Sequence, residues 1–155
     1  MKADSPVERI MQREFASVRS DERLDFVDDV MALGRVRHMP VVDDGKLVGV
    51  VTDRDMYIAL GTRDKRASQI TVGDVATGTV WTCAPTDDVH VALSTMKERR
   101  VRRLPVVADG SLVGIISLND LALVAGAGKP VQNEEIVDTF KTICAHRPMA
   151  AAVAA

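Results

Sequence analysis

A stretch of about 23 residues occurs twice in this chain, and it constrains the fold more than any other feature. Residues 38–60 read HMPVVDDGKLVGVVTDRDMYIAL and residues 103–125 read RLPVVADGSLVGIISLNDLALVA, with nine identical positions and no gap. The same offset of 65 residues aligns Val7 with Val72. A repeat of this length usually corresponds to one supersecondary unit. We therefore predict two similar units of about 60 residues, which share one hydrophobic core because each would be marginally stable alone.

Each copy carries the local signals of a β-α-β-β-α unit. Leu24, Val27 and Met31 recur at helical spacing, and Asp44-Gly45 separates two valine-rich segments, which is a strong hairpin signal. The predicted elements of the first unit are a strand at 15–18, a helix at 21–34 that follows Ser20, a hairpin of strands at 36–43 and 46–52, and a helix at 53–60 that Gly61 terminates.

The offset predicts the same elements in the second unit, with a short strand at 80–83, a helix capped by Thr86 and a hairpin that turns at Asp109-Gly110. Asn133 is the predicted cap of a further helix, whose apolar stripe is Ile136, Val137, Phe140, Ile143 and Cys144. The predicted organisation is unit 1 at 7–61, a linker at 62–70, unit 2 at 71–126, and a C-terminal helix with a flexible, alanine-rich tail at 127–155.

Composition and spacing argue against several classes of function. A net charge of -2 and 3% aromatic residues disfavour a nucleic-acid partner. The N-terminus is charged and lacks the apolar segment of a signal peptide, and no apolar run is long enough for a membrane span, so we expect a cytoplasmic protein with reduced cysteines and no membrane partner. His38, His90 and His146 lack metal-ligand spacing. With no nucleophile motif either, we expect neither a metal site nor catalytic residues, and therefore not an enzyme.

The candidate chemistry lies where each hairpin ends and a helix begins. Thr52 precedes Asp55 by three residues, and Ser117 precedes Asp120 in the same way. A hydroxyl at a helix N-terminus is suited to a phosphate, and the aspartate is suited to ribose hydroxyls. The same pattern is also a capping box, in which the acidic side chain accepts a hydrogen bond from the cap residue. The two interpretations are equally supported by this motif alone.

Basic residues precede both hairpins. Arg37 and His38 lie before the first proline of the repeat, and Arg102 and Arg103 lie before the second. Their recurrence beside both motifs favours binding of a phosphate, for which the guanidinium fork is well suited. Solvated surface arginines are the alternative interpretation.

The repeated unit, its R-[HR]-[ML]-P-V-V-x-D-G-x-L-V-G core and its G-h-h-[ST]-x-x-D ending resemble the CBS domain, named for cystathionine β-synthase. Two such domains in tandem resemble a Bateman module of the stand-alone bacterial type, over about residues 7–125. The resemblance implies an α/β (α+β) fold in which two β-α-β-β-α motifs are related by a pseudo-twofold axis and packed through their sheets.

The resemblance also implies adenosine nucleotides in clefts between the two units, with AMP, ADP, ATP or S-adenosylmethionine as candidates and no required cofactor. The implied ligand-binding residues are the aspartates Asp55 and Asp120, the hydroxyls Thr52 and Ser117, the basic residues Arg37, His38, Arg102 and Arg103, and base contacts from Thr77, Val80 and Trp81 beside Asp55 and from Ala16 and Val18 beside Asp120. Gln12 stands where the family often has threonine, and Trp81 is expected to stack on the base or to fill the pocket.

Two hypotheses follow for the function. The first is a regulatory module in which an adenine nucleotide alters the relative tilt of the units and the affinity for an unidentified regulated protein. The second is a ligand-free, dimerising interaction module in which the Thr/Ser-x-x-Asp pairs only cap helices. The resemblance implies a homodimer under both hypotheses.

Overall fold

The computed structural model describes residues 5–149 of the chain. The alanine-rich end of the predicted flexible tail, residues 150–155, lies outside this range. Within the range, every helix is too short or too polar to cross a membrane.

The first repeat folds into a helix, a hairpin and a second helix. Helix α1 spans Leu24–Gly34, strands β1 and β2 span His38–Asp43 and Lys46–Thr52, and helix α2 spans Asp53–Thr62. Asp44 and Gly45 have φ angles of 50° and 79°, the positive values that a tight hairpin turn of this kind requires. The predicted helix and hairpin of this repeat are therefore confirmed.

The second repeat forms the same elements, followed by one more helix. Helix α3 spans Val89–Arg99, strands β3 and β4 span Arg103–Ala108 and Ser111–Ser117, helix α4 spans Leu118–Val124, and helix α5 spans Asn133–Cys144. Short 3-10 helices at Val7–Arg9, Ala67–Gln69 and Val72–Asp74 precede or connect the repeats.

The two hairpins join into one antiparallel sheet with the strand order β1-β2-β4-β3. Each hairpin pairs along its full length, whereas β2 and β4 meet at one residue pair, Lys46 with Ser111. Leu47 N donates to Gly110 O at 3.3 Å, and Leu112 N donates to Gly45 O at 3.2 Å. These two bonds are equivalent under the repeat offset, as a pseudo-twofold axis between the hairpins requires.

The two short strands predicted before the helices are reduced to single bridges. Val18 pairs with Val41 and Cys83 pairs with Val106, both in the parallel sense. Each hairpin shifts register next to the bridged residue, between Val41 and Val42 and between Val106 and Val107. The irregularity interrupts the ladder there.

The predicted starts of helices α1 and α3 are wrong. The residue before the predicted start of α1 makes another hydrogen bond, and a different residue caps α3. The Ser20 hydroxyl donates to Asp43 Oδ2 at 2.6 Å, and α1 begins four residues later. Helix α3 is capped by Asp88, whose carboxylate accepts from His90 N at 2.9 Å, rather than by Thr86.

Two further helix ends differ from the prediction. Asn133 is the first residue of α5, and the preceding Gln132 forms a capping box with Glu135. Helix α2 continues through Gly61 to Thr62, whose hydroxyl bonds to a carbonyl one turn back.

The buried apolar residues form two clusters rather than the single shared core that we expected. The cluster of the first repeat contains Val18, Leu24, Val27, Met31, Met39, Val41, Val51, Met56, Ala59, Ile70 and Val72. The cluster of the second repeat contains Val7, Met11, Cys83, Val89, Ala92, Leu93, Met96, Leu104, Val106, Ile116, Leu118, Leu121 and Val131.

The repeats exchange the segments that lead into them. Val7 and Met11 lie at the start of the first unit but pack in the second cluster, and Ile70 and Val72 lie at the boundary where the second unit begins but pack in the first cluster. Backbone bonds fix this exchange, because Val7 N donates to Asp87 O at 2.8 Å and Val72 N donates to Glu22 O at 2.8 Å. The two cores are separate, yet each is completed by chain from the other side of the repeat boundary.

Helix α5 packs on α3 and α4 of the second repeat. Of its predicted apolar stripe, Ile136 and Ile143 pack against the second cluster, whereas Val137 and Phe140 remain about half exposed. Thr139, which lies between them on the helix, is buried. The apolar stripe is therefore only partly covered by the core of the chain.

The exchange predicts that Val7→Ala destabilises the protein although Val7 lies far in sequence from the core that it fills. Removing two buried methyl groups is expected to lower the free energy of unfolding by about 2 kcal/mol. Val91→Ala on the exposed side of α3 is the matched control and should change it by less than about 0.5 kcal/mol. Urea unfolding measures both, and equal values for the two variants would contradict the exchanged packing.

Candidate functional site

The first junction between hairpin and helix forms a complete capping box. Asp55 N donates to Thr52 Oγ1 at 3.1 Å, and Asp55 Oδ2 accepts from Thr52 N at 3.0 Å. Within residues 5–149, the other carboxylate oxygen of Asp55, Oδ1, has no hydrogen-bond donor. The cap therefore uses only half of this carboxylate.

The second junction has the same capping box with additional contacts. Asp120 Oδ2 accepts from Ser117 N at 2.8 Å and from Ser117 Oγ at 2.7 Å. Asp120 Oδ1 accepts from the side chain of Gln12 at 3.1 Å. Both oxygens of Asp120 are therefore occupied by protein donors.

A cavity of about 330 Å³ lies at the first junction, between the two repeats. This volume is within the range of small-molecule sites. Its walls come from both repeats and comprise His38, Pro40, Val50, Thr52, Asp55, Thr77, Thr79, Val80, Trp81, Val101, Arg102, Arg103, Pro105 and Ile115. The structure thus brings Asp55 and Thr52 together with the predicted base contacts Thr77, Val80 and Trp81.

The walls combine apolar surface with a few polar groups. Trp81 lies on the cavity wall and leaves the cavity open rather than filling it. The guanidinium of Arg99 stacks over its indole ring, 3.8 Å from the centroid, and this cation–π contact holds the ring in place. The aromatic ring of Trp81 and the carboxylate of Asp55 thus line the same cavity.

Three of the four predicted basic residues line this cavity, namely His38, Arg102 and Arg103. Arg37 does not, because its side chain is exposed and lies 3.5 Å from Asp53 Oδ2, beside a groove between α1 and α2. The second repeat has Leu118 at the position equivalent to Asp53, so Arg102 lacks this carboxylate partner.

Arg102 contacts the C-terminal helix instead. Its guanidinium lies 5.4 Å from the centroid of the Phe140 ring and donates to Cys144 Sγ at 3.6 Å. Arg100 donates to Ala145 O at 3.4 Å. One basic residue of the cavity wall is thus held by helix α5.

The predicted contacts beside Asp120 are placed differently. Gln12 reaches Asp120, and Ala16 is exposed. Val18 is 2% exposed and belongs to the core of the first repeat, where its backbone bridges to Val41. It occupies the position equivalent to the buried Cys83, and its role as a base contact stays a prediction.

Several cavity residues were missed by the sequence reasoning. Pro40 and Pro105 both line the cavity, as do Val50 and Ile115, and the members of each pair are related by the repeat offset. A site near a pseudo-twofold axis is lined by both members of a pair, so the repeat itself carried this signal. Thr79 had no such signal, because position 14 in the first repeat is a glutamate.

The environment of His38 keeps its imidazole neutral. Burial lowers the pKa of His38 below its ordinary value of 6.5, and the positive charge of Arg103 lowers it further. Its Nδ1 atom is buried and has no hydrogen-bond partner among the described residues. The two arginines therefore supply the positive charge of the cavity at neutral pH.

The lowered pKa of His38 predicts a pH dependence of stability. The unfolded chain binds a proton near pH 6.5 whereas the folded protein does so only at lower pH, so the free energy of unfolding should fall as pH decreases below about 6.5. Urea unfolding between about pH 5 and about pH 7.5 measures this slope. His38→Gln should reduce the slope, whereas His146→Gln at an exposed position should not. An unchanged slope in His38→Gln would contradict the assignment.

No group of three His, Cys, Asp or Glu side chains within residues 5–149 is arranged to hold a metal ion. Burial raises the pKa of the Cys83 thiol to about 12, which makes it a poor metal ligand and a poor nucleophile.

Comparison with known proteins places this geometry in a family. A family model for the CBS domain matches residues 7–61 and again residues 72–126. The CBS domain-containing protein YhcV of Bacillus subtilis is 32% identical over 119 residues, which cover 77% of this chain and 84% of YhcV.

Solved structures agree with this assignment. The CBS domain pair of protein MJ0100 in complex with 5-methylthioadenosine and S-adenosyl-L-methionine superposes with a TM-score of 0.66 and 26% identity, over 77% of this chain and 98% of that one. CBSX2 in complex with AMP superposes with a TM-score of 0.68 and 28% identity, over 77% and 94%. The chain therefore belongs to the CBS-domain family and carries two CBS domains in tandem.

Proposed function

We propose that this CBS pair is a regulatory module that binds an adenine nucleotide in the cavity beside Asp55. One observation supports the proposal most directly. A single cavity between the repeats contains a carboxylate with one unused oxygen, an apolar wall and two arginines. Each of these groups matches one part of a nucleotide.

The chemistry of the walls suggests the pose. Asp55 Oδ1 is free to accept a ribose hydroxyl, as a carboxylate with an unused oxygen does readily. Val80 and Trp81 offer an apolar and aromatic surface for the adenine ring. Arg102 and Arg103 offer donors for phosphate oxygens. In this pose Thr52 and Thr77 contact the sugar or the base, and His38 lies beside the phosphates.

The relatives support an adenosine-containing ligand. One structural neighbour, CBSX2, is a complex with AMP, and another, the MJ0100 pair, is a complex with 5-methylthioadenosine and S-adenosyl-L-methionine. AMP, ADP, ATP and S-adenosylmethionine all carry the adenosine that Asp55 and Trp81 would recognise. No cofactor or catalytic residue is part of the proposal.

A ligand in this position would act on the arrangement of the repeats. The cavity walls come from both CBS domains, and β2 and β4 meet at a single residue pair. A nucleotide that bridges the walls favours one relative tilt of the domains over another. The affinity for a regulated protein then changes by the amount of this difference.

A second candidate function is a dimerising interaction module without a ligand. It is favoured by apolar side chains that α1 and α2 leave exposed, among them Leu33 at 87% and Tyr57 at 80%. The corresponding helices of the second repeat, α3 and α4, are covered in part by α5. In this second candidate, two copies associate through the α1–α2 face and the cavity holds no ligand.

Nucleotide binding predicts a thermal shift that depends on Asp55. AMP, ADP, ATP and S-adenosylmethionine are screened, with GTP as a control for the base. A ligand at a hundred times its dissociation constant adds about 2.7 kcal/mol, or roughly 5 to 10 °C for a chain of this size. At least one adenine compound should give this shift with the wild-type protein and with Asp120→Ala, but not with Asp55→Ala.

The two alanine variants are matched controls, because both remove the aspartate of a capping box and should lose about 1 kcal/mol of stability each. Loss of the shift in Asp55→Ala therefore reports binding rather than stability. If no adenine compound shifts the melting temperature, the ligand-free module is favoured.

Self-association through the α1–α2 face predicts that the double variant Leu33→Glu, Tyr57→Glu is a monomer. Two charges placed on this face would remain desolvated in the dimer, which opposes association. Light scattering coupled to size exclusion measures the mass. Leu123→Glu, at an 85% exposed position of α4, is the control and should leave the dimer intact. A monomeric wild-type protein, or a dimeric double variant, would contradict this interface.

A further inference from the structure

We infer that the side chain of Gln12 blocks the position beside Asp120 that the repeat offset relates to the cavity beside Asp55, so that the chain binds one nucleotide rather than two. We call these two positions the second and the first cleft. The inference rests on the proposed function and assigns to Gln12 the role of deciding which cleft is available. It follows from a difference between two positions that the repeat makes equivalent, Gln12 and Thr77.

The carboxylate of the second cleft has no free oxygen. Asp120 Oδ1 accepts from Gln12 Nε2 at 3.1 Å, and Asp120 Oδ2 accepts from the backbone and hydroxyl of Ser117. A ribose hydroxyl that approached Asp120 would have to displace the amide of Gln12 or share its acceptor. The carboxylate is therefore satisfied by the protein itself.

The carboxylate of the first cleft has no equivalent side-chain donor among the described residues. Thr77 lies opposite Asp55 in the same way, and its backbone pairs with Val50 as that of Gln12 pairs with Ile115. Among the described residues no side chain donates to Asp55 Oδ1. The backbones of the two clefts are thus equivalent, and the difference between them lies in the side chains.

Two neighbouring positions add to the asymmetry. The buried side chain of Met11 lies against Gly114, where the smaller Ala76 lies against Gly49. Ser117 is 8% exposed, whereas its equivalent Thr52 is half-buried. The second cleft therefore presents less of its hydroxyl residue than the first.

The size of the effect follows from the bond that must be broken. The bond between Gln12 and Asp120 is exposed, so displacing the amide costs only the net contribution of a charged hydrogen bond, which corresponds to about tenfold in affinity. The two clefts should accordingly differ by about this factor. At ligand concentrations that half-saturate the first cleft, the second is expected to be largely empty.

The reciprocal exchange of the two residues tests this inference. AMP, ATP and S-adenosylmethionine are titrated separately by isothermal calorimetry into the wild-type chain, Gln12→Thr and Thr77→Gln. We expect one site per chain in the wild-type protein for at least one of these probes, and a second, measurable site in Gln12→Thr. In Thr77→Gln we expect the first site to weaken by about tenfold or more. Gln12→Ala serves as a second variant and should also gain the additional site.

The outcomes separate this inference from the function on which it rests. Two sites of equal affinity in the wild-type protein, or a single site in both Gln12→Thr and Gln12→Ala with native circular dichroism, would overturn the role of Gln12 and leave the nucleotide site intact. No binding of any probe to the wild-type protein or the variants would overturn the proposed function, and this inference with it.

Discussion

The close crossing of backbone between the two repeats is the contact on which the rest of the structure depends. Gln12 pairs with Ile115, and Thr77 pairs with Val50. Ile115 and Val50 each follow a glycine of their hairpin. A Cβ atom on Gly49 would lie 2.8 Å from the carbonyl oxygen of Thr77, and one on Gly114 would lie 3.0 Å from that of Gln12. Only glycine admits so near a strand. The crossing segments complete both cores and also form part of the wall of each cleft. The contacts that stabilise the fold are therefore the contacts that shape the cavity.

The capping boxes show how one motif serves structure and binding together. A carboxylate has two oxygens, and the cap of helix α2 needs only one of them from Asp55. At the first junction the aspartate can therefore cap the helix and contact a ligand at the same time. At the second junction the cap and Gln12 use both oxygens of Asp120. The same local motif thus leaves one carboxylate oxygen free at the first junction and none at the second. The difference comes from the segment of the other repeat that faces each junction.

The sequence predicted those parts of the fold that local signals determine. The hairpins at Asp44-Gly45 and Asp109-Gly110 and the helices with a clear apolar period formed as expected, because turn chemistry and periodicity act over a few residues. The burial of Val18 and the exchange of the leading segments around Val7 and Val72 were not predicted. These depend on which part of the chain crosses the repeat boundary. A repeat alignment establishes equivalence, but it does not say from which repeat a neighbour comes.

Arg102 links the candidate site to the part of the chain outside the repeats. Its side chain lines the cavity and also contacts Phe140 and Cys144 of α5. Its repeat equivalent, Arg37, pairs with Asp53 and has no such connection within residues 5–149. A guanidinium has five donors in a rigid plane, so turning them toward an anion in the cavity turns them away from the helix. The electrostatics of the cavity and the docking of the C-terminal helix are therefore not independent, because one side chain takes part in both.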